Sequence, residues 1–124
     1  MTKWAALAVG SLAGGFARYA AAGTVHRWTD SGFPYGTTVV NLTGCLLIGF
    51  LDSLAEDKFL LSSNARILLM TGFCGAYTTF STFILETARM LRGGEFGPAA
   101  ANVGIGVGGG LLLFLAGEAA ARAL

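Results

Sequence analysis

The sequence predicts an all-α membrane protein with four transmembrane helices, the third broken in mid-membrane, and three observations carry this. Charge is scarce: of 124 residues, 54% are hydrophobic and 12% are charged, about half the charged share of a soluble domain. The charges also gather at seams, because residues 4–17, 31–51, 67–85 and 96–117 contain no Asp, Glu, Lys or Arg. Third, the run Gly72-Phe73-Cys74-Gly75-Ala76-Tyr77-Thr78-Thr79-Phe80-Ser81-Thr82-Phe83 crowds glycines, hydroxyls and aromatics into one of those apolar stretches. Polar groups at membrane depth are costly unless they face protein or water. A soluble helical core would need charged outer faces, and these stretches supply none.

Helix one is expected over residues 4–23. Its charge-free run reaches span length only when carried past Arg18, since about 20 residues at 1.5 Å rise cross a ~30 Å hydrocarbon layer. Lys3 before an apolar run superficially fits a secretory leader. The run continues through Arg18-Tyr19 without a small-residue cleavage site before a soluble domain, so it is expected to stay as a span. Residues 24–35 form a polar connection with His26, Arg27, Asp30, Gly32 and Pro34. Helix two is expected over 36–54, with Asn41 inside it. A connection over 55–65 carries Glu56, Asp57 and Lys58. Segment three, 66–91, is longer than one straight span requires, and an internal break would use the excess. Residues 92–98 hold Gly93-Gly94 and Gly97-Pro98, which stop a helix. Helix four follows over 99–120. The whole chain, 1–124, reads as one domain.

Four spans put both termini on one side. That side carries Lys3, Lys58, Arg66 and Arg122; the other carries Arg18, Arg27, Arg89 and Arg92. Orientation follows the Lys/Arg excess in short loops, and an even split offers none. The chain is expected to insert both ways and pair as an antiparallel, dual-topology homodimer, against the alternative of one orientation set by another feature. The pairs Gly10/Gly14, Gly104/Gly108 and Gly106/Gly110 let helix backbones approach closely, either within one chain or at a dimer seam.

No catalytic constellation is present, and the chain is expected not to be an enzyme. His26 is the only histidine and sits in a connection; there is no phosphate loop, carboxylate pair or His/Cys cluster. A net charge of +1 without a basic patch gives no reason to expect nucleic acid. Cys45 and Cys74 lie inside spans without metal-ligand spacing and read as small packing residues.

The segment-three motif reads differently. Gly72 and Gly75 weaken a helix, and Thr and Ser hydroxyls stabilise a break by replacing backbone bonds. An unwound turn exposes carbonyls suited to a small cation. A continuous helix with hydroxyls bonded back to their own turn is the equal alternative. Phe80 and Phe83 share a helix face. Either they pack, or their weakly positive ring edges pass a small dehydrated anion helped by Ser81 and Thr82. Asn41 offers two amide donors to a helix partner or a polar path. Arg18 lies near enough to the interface to reach a vestibule. Glu86 is placed to pair with Arg89.

Together these residues resemble the Fluc/CrcB family of fluoride ion channels. The likeness covers the whole chain: Gly14-Gly15-Phe16-Ala17-Arg18-Tyr19, Gly36-Thr37-Thr38-Val39-Val40-Asn41 with Gly44 and Gly49, and Gly72-Phe73-Cys74-Gly75 running into Thr78-Thr79-Phe80-Ser81-Thr82-Phe83. The resemblance implies passive, electrodiffusive F⁻ export across the bacterial inner membrane by an antiparallel homodimer with two pores. It implies a structural Na⁺ at the dimer centre, held by backbone carbonyls of Gly75 and Thr78. It implies an ion path along Asn41, Phe80, Ser81, Thr82 and Phe83, with Arg18 and Glu86 as vestibule or gating residues. One departure stands out: many members carry Ser or Thr on helix four, where residues 102–110 here hold no hydroxyl. Backbone or water in their place, unequal pores, or pairing with a homologous subunit would each accommodate this. Two other readings are a proton-coupled small multidrug-type transporter, which would need a carboxylate in helix one, and a non-conducting assembly subunit, which leaves the motif unexplained.

Overall fold

The computed structural model describes residues 1–29 and 31–124; Asp30, one of the polar residues of the first connection, lies outside them. Helix α1 spans Lys3–Trp28, five residues past the expected end. The polar residues after Gly23 do not stop it. Thr24 and Thr29 donate their hydroxyls back to Ala20 and Val25 carbonyls, while His26 and Arg27 lie in the last turn, where cations suit the negative helix end. Helix α2 spans Tyr35–Glu56.

The next rod, α3 (residues 63–77), starts as Ser63–Arg66 and widens into a π-type stretch over Ile67–Cys74. It ends with Gly75–Tyr77. Its start at Ser63 rests on Ser62, whose Oγ accepts from the Ala65 N–H, a side-chain cap three residues ahead of the charge-based boundary. Thr78 (φ −86°, ψ 160°) and Thr79 (φ −149°, ψ 115°) are extended, and α4 follows over Phe80–Arg92. Helix α5 covers Phe96–Arg122 and also widens, over Gly104–Gly109. Gly97-Pro98 was expected as a stop but belongs to the first turn of α5, where proline's missing N–H costs nothing. The chain turns instead at Gly94, whose φ of +77° suits glycine.

Tyr35–Glu56, Ser63–Arg92 and Phe96–Arg122 are each long and apolar enough to cross a bilayer. α1, with 26 residues and therefore about 39 Å, has the length, but Lys3, Arg18, His26 and Arg27 dilute its apolar character.

Small residues make the packing. The buried hydrophobic positions include Ala6, Val40, Ala55, Cys74, Ala99 and Ala121. α1 lies on α3, where a β-carbon at Gly10 would collide with the Leu68 carbonyl and one at Gly14 with that of Phe73. α2 lies on α5, where Gly49 meets the Phe114 carbonyl and Gly117 that of Leu46. The Gly10/Gly14 pair thus packs within the chain. Of the other two pairs, Gly106 and Gly110 face Phe83 and Cys45, whereas Gly104 and Gly108 would have nothing within 4 Å of an added β-carbon. Large apolar side chains point outward instead, as lipid allows: Trp4, Phe16 and Leu112 are all exposed.

Polar contacts collect the chain ends at one end of the bundle. The Asn64 amide donates to the Met1 carbonyl, Arg66 pairs with Glu56, and Arg122 Nε donates to Asp57 Oδ2 at 2.9 Å. The Arg122 guanidinium, followed by the Ser53 hydroxyl, holds the Asp57 carboxyl below its ordinary value.

Candidate functional site

The site is built around Thr78 and Thr79. Extended backbone in a helical rod strands peptide groups that need partners, and α2 supplies them. Asn41 Nδ2 donates to the Thr79 carbonyl at 3.0 Å, and the Thr79 N–H donates to Asn41 Oδ1 at 2.7 Å, so one amide mimics a peptide partner at both atoms. α4 is then restarted by its own cap, with Thr79 Oγ1 accepting from the Thr82 N–H at 3.3 Å and donating to Thr82 Oγ1 at 3.0 Å. On the α3 side, Thr78 N–H and Oγ1 both bond the Cys74 carbonyl. Tyr77 stacks on Phe73, with ring centroids 5.6 Å apart, and its hydroxyl meets Thr43 Oγ1 at 2.9 Å. Thr43 in turn donates to the Val39 carbonyl, so the phenol proton points to Thr43.

These bonds free two carbonyls. The usual i+4 donor to Gly75 is the Thr79 N–H, now on Asn41; that to Thr78 is the Thr82 N–H, now on Thr79 Oγ1. Gly75 is exposed. The Thr78 carbonyl accepts a long bond, 3.4 Å, from Arg18 Nη1.

Two cavities meet at Thr79. The first, about 380 Å³, is lined by Asn41, Gly75, Thr78, Phe80, Phe83 and Gly106 among others. Phe80 and Phe83 have centroids 6.0 Å apart and planes tilted by 36°. The second, about 580 Å³, gathers Arg18, His26, Thr37, Thr82 and Glu86 between α1, α2 and α4. There Thr37 donates to Glu86 Oε1 at 2.8 Å, while Glu86 Oε2, though buried, has no hydrogen-bond partner among the described residues. Glu86 thus bonds Thr37 on another helix and not its expected i+3 neighbour Arg89.

The structure therefore brings Asn41, Phe80 and Phe83 to one cavity and Arg18, Thr82 and Glu86 to the other. Ser81 stands exposed on α4 and lines neither. Sequence reading missed Thr37 and Thr43. Thr37 is a hydroxyl one helical turn before Asn41 on the same face, which was the available signal; Thr43, two residues after Asn41, lies on another face and gave none. It also missed the trio Thr38, Thr87 and Asn102, the last two buried, in which Asn102 Nδ2 donates to Thr87 Oγ1 at 2.9 Å. Among the described residues no group of three His, Cys, Asp or Glu side chains is placed to hold a metal.

Comparison with known proteins finds similarity over nearly the full length. A family profile described as "CrcB-like protein, Camphor Resistance (CrcB)" matches residues 5–118. A protein of Chlorobaculum tepidum named fluoride-specific ion channel FluC is 45% identical over 91% of this chain and 89% of its own length. The protein of that name from Solidesulfovibrio magneticus is 38% identical over 98% of each chain. That from Desulforapulum autotrophicum is 45% identical over 76% of this chain and 75% of its own.

Proposed function

The chain belongs to the CrcB-like family, and on that footing we propose that it is a fluoride-selective channel, multi-pass in the bacterial inner membrane, that lets F⁻ leave passively along its electrochemical gradient. It is a channel and not an enzyme. The observation that carries the reading is the extended Thr78-Thr79 pair. It lies near the middle of a 30-residue apolar segment, clamped by Asn41 and bordered by Phe80 and Phe83.

The proposed path runs through both cavities past Thr79. In the second cavity the Arg18 guanidinium raises the local concentration of anions, the Thr82 hydroxyl replaces lost hydration, and Glu86, held by the Thr37 hydroxyl, tempers the positive charge. In the first, Asn41 keeps one Nδ2–H for an anion after donating the other to Thr79. The Phe80 and Phe83 ring edges present weak positive charge without a full hydrogen bond, which suits a small halide that must also depart. Ser81 adds a hydroxyl at the open face.

The interrupted span is mid-membrane in this reading, and its freed oxygens need a companion. Phe80 is 74% exposed on the isolated chain and Gly75 faces outward. We assign a second, antiparallel copy of the chain to that face, with α1 as the fourth span. Arg18 lies at the depth of Thr78 and not at an end, and the remaining near-even split of Lys and Arg, four against three, supports insertion both ways. The carbonyls of Gly75 and Thr78, released from helix bonds, fit a hard monovalent cation once Arg18 gives up its long contact with Thr78, and Na⁺ at the dimer centre would supply positive charge holding the two interruptions together. The rival proton-coupled transporter would need an acid in α1, which has none.

Fluoride efflux from proteoliposomes, with chloride as the control, tests the function. The protein should release fluoride and retain chloride. Phe80→Ile should slow release while the dimer persists on size exclusion. Wild-type release by that variant would refute the ring-edge role, and no release by the native protein would refute the channel.

A further inference from the structure

Of the two rings, Phe83 is the better buried, 8% exposed against 74% for Phe80, and α5 seats it. A β-carbon added at Gly106 would stand 2.8 Å from Phe83 Cε2 and 3.3 Å from Cζ. One turn earlier on α5, Asn102 donates to Thr87 Oγ1 at 2.9 Å, and that hydroxyl donates to the Phe83 carbonyl at 2.8 Å. Residues 102 and 106 thus share a face of α5 that receives residues 87 and 83 of α4, each pair spaced i,i+4. Asn102 is 2% exposed and holds the α4 backbone. Gly106 leaves the space that the ring fills.

We propose that Gly106 is a positioning residue for fluoride passage: the missing side chain at 106 sets where the Phe83 ring stands in the cavity wall. The inference rests on the reading of Phe83 as a rim of the ion path. A methyl group at 106 would meet the movable end of a side chain, so the ring yields before the backbone does. Restoring ordinary carbon–carbon contact needs a displacement of about 0.8 Å, which turns the ring from its rotamer or pushes it toward Phe80. The same wide stretch of α5 provides the contrast, because Gly104 and Gly108 have nothing within 4 Å of an added β-carbon. Relief of backbone strain alone would not single out 106.

The test compares Gly106→Ala with Gly108→Ala, each alone and combined with Phe83→Leu. It reads fluoride efflux from proteoliposomes and the thermal unfolding midpoint of the purified protein. Gly106→Ala should slow efflux by about tenfold, and Gly108→Ala by less than about twofold. The midpoint should fall for Gly106→Ala in the native background and stay level in the Phe83→Leu background, since interacting residues are not additive. Native efflux from Gly106→Ala, an equal loss from Gly108→Ala, or a midpoint shift undiminished by Phe83→Leu would each overturn the inference. If Gly106→Ala does not accumulate, the double variant should, and its failure would overturn the inference as well. Native efflux from Phe83→Leu alone would instead remove the rim reading, and with it any role for Gly106 in passage.

Discussion

Replacing Asn41 by Leu should loosen the Thr78-Thr79 turn more than any other single side-chain change near it. Leucine keeps the branched outline of asparagine, with a larger volume, and removes both polar atoms. The Thr79 N–H then loses its partner at 2.7 Å and the Thr79 carbonyl a donor at 3.0 Å. A buried donor left unpaired costs about 1–3 kcal/mol and a lost ordinary bond about 0.5–1.5, so the sum is about 1.5–4.5 kcal/mol. At 1.4 kcal/mol per decade, local opening becomes roughly 10- to 1,600-fold more frequent. Hydrogen exchange of the Thr79 amide should speed by that factor, and the unfolding midpoint should fall. Tyr77→Phe, which deletes only the exposed bond to Thr43, should cost about 1 kcal/mol and leave that amide protected. Unchanged Thr79 exchange in Asn41→Leu would mean that the amide clamp does not hold the turn, and the proposed path would lose its frame.

Other outcomes follow from the same geometry. Gly117→Ala should destabilise the chain by about 1–3 kcal/mol, because its β-carbon meets the Leu46 carbonyl and the Phe50 nitrogen on α2. Gly15→Ala, with nothing within 4 Å, should be silent in the same thermal scan. The Asp57 carboxyl is held low by Arg122. The unfolded chain therefore takes up that proton first as pH falls. The stability this pair contributes should be complete above an ordinary carboxylate value near about 4 and vanish as pH drops through the lowered folded value. Thermal midpoints of Asp57→Asn and the native chain should accordingly differ at pH 6 and converge in strong acid. A C-terminal reporter expressed in cells should be found on both faces of the membrane; a purely cytoplasmic signal would refute dual insertion.

Much of the architecture was legible because a bilayer leaves a chain little choice. Segments without charge and about 20 residues long must pair their own peptide groups, so they become helices. The positions of Asp, Glu, Lys and Arg therefore marked the segments to within a few residues. The errors fell where polar residues serve a helix. Thr24 to Trp28 extend α1, Ser62 starts α3, and Pro98 begins α5; each was read as connection because composition does not say whether a hydroxyl or a proline ends a helix or caps it.

The motif in segment three was equally visible, yet composition left a kinked turn and an unbroken helix level. The balance depends on partners distant in sequence. Asn41 is 38 residues from Thr79, Arg18 is 60 from Thr78, and Thr37 is 49 from Glu86. The residues themselves set the long apolar segments, their approximate lengths and the chemistry of the central run. Only packing decided that Thr79's peptide would face an amide on α2, and that the gap at Gly106 would receive a phenyl ring. Local spacing encodes what a helix can do alone, whereas the energy of an unpaired peptide is settled by whichever helix lies within about 3 Å of it.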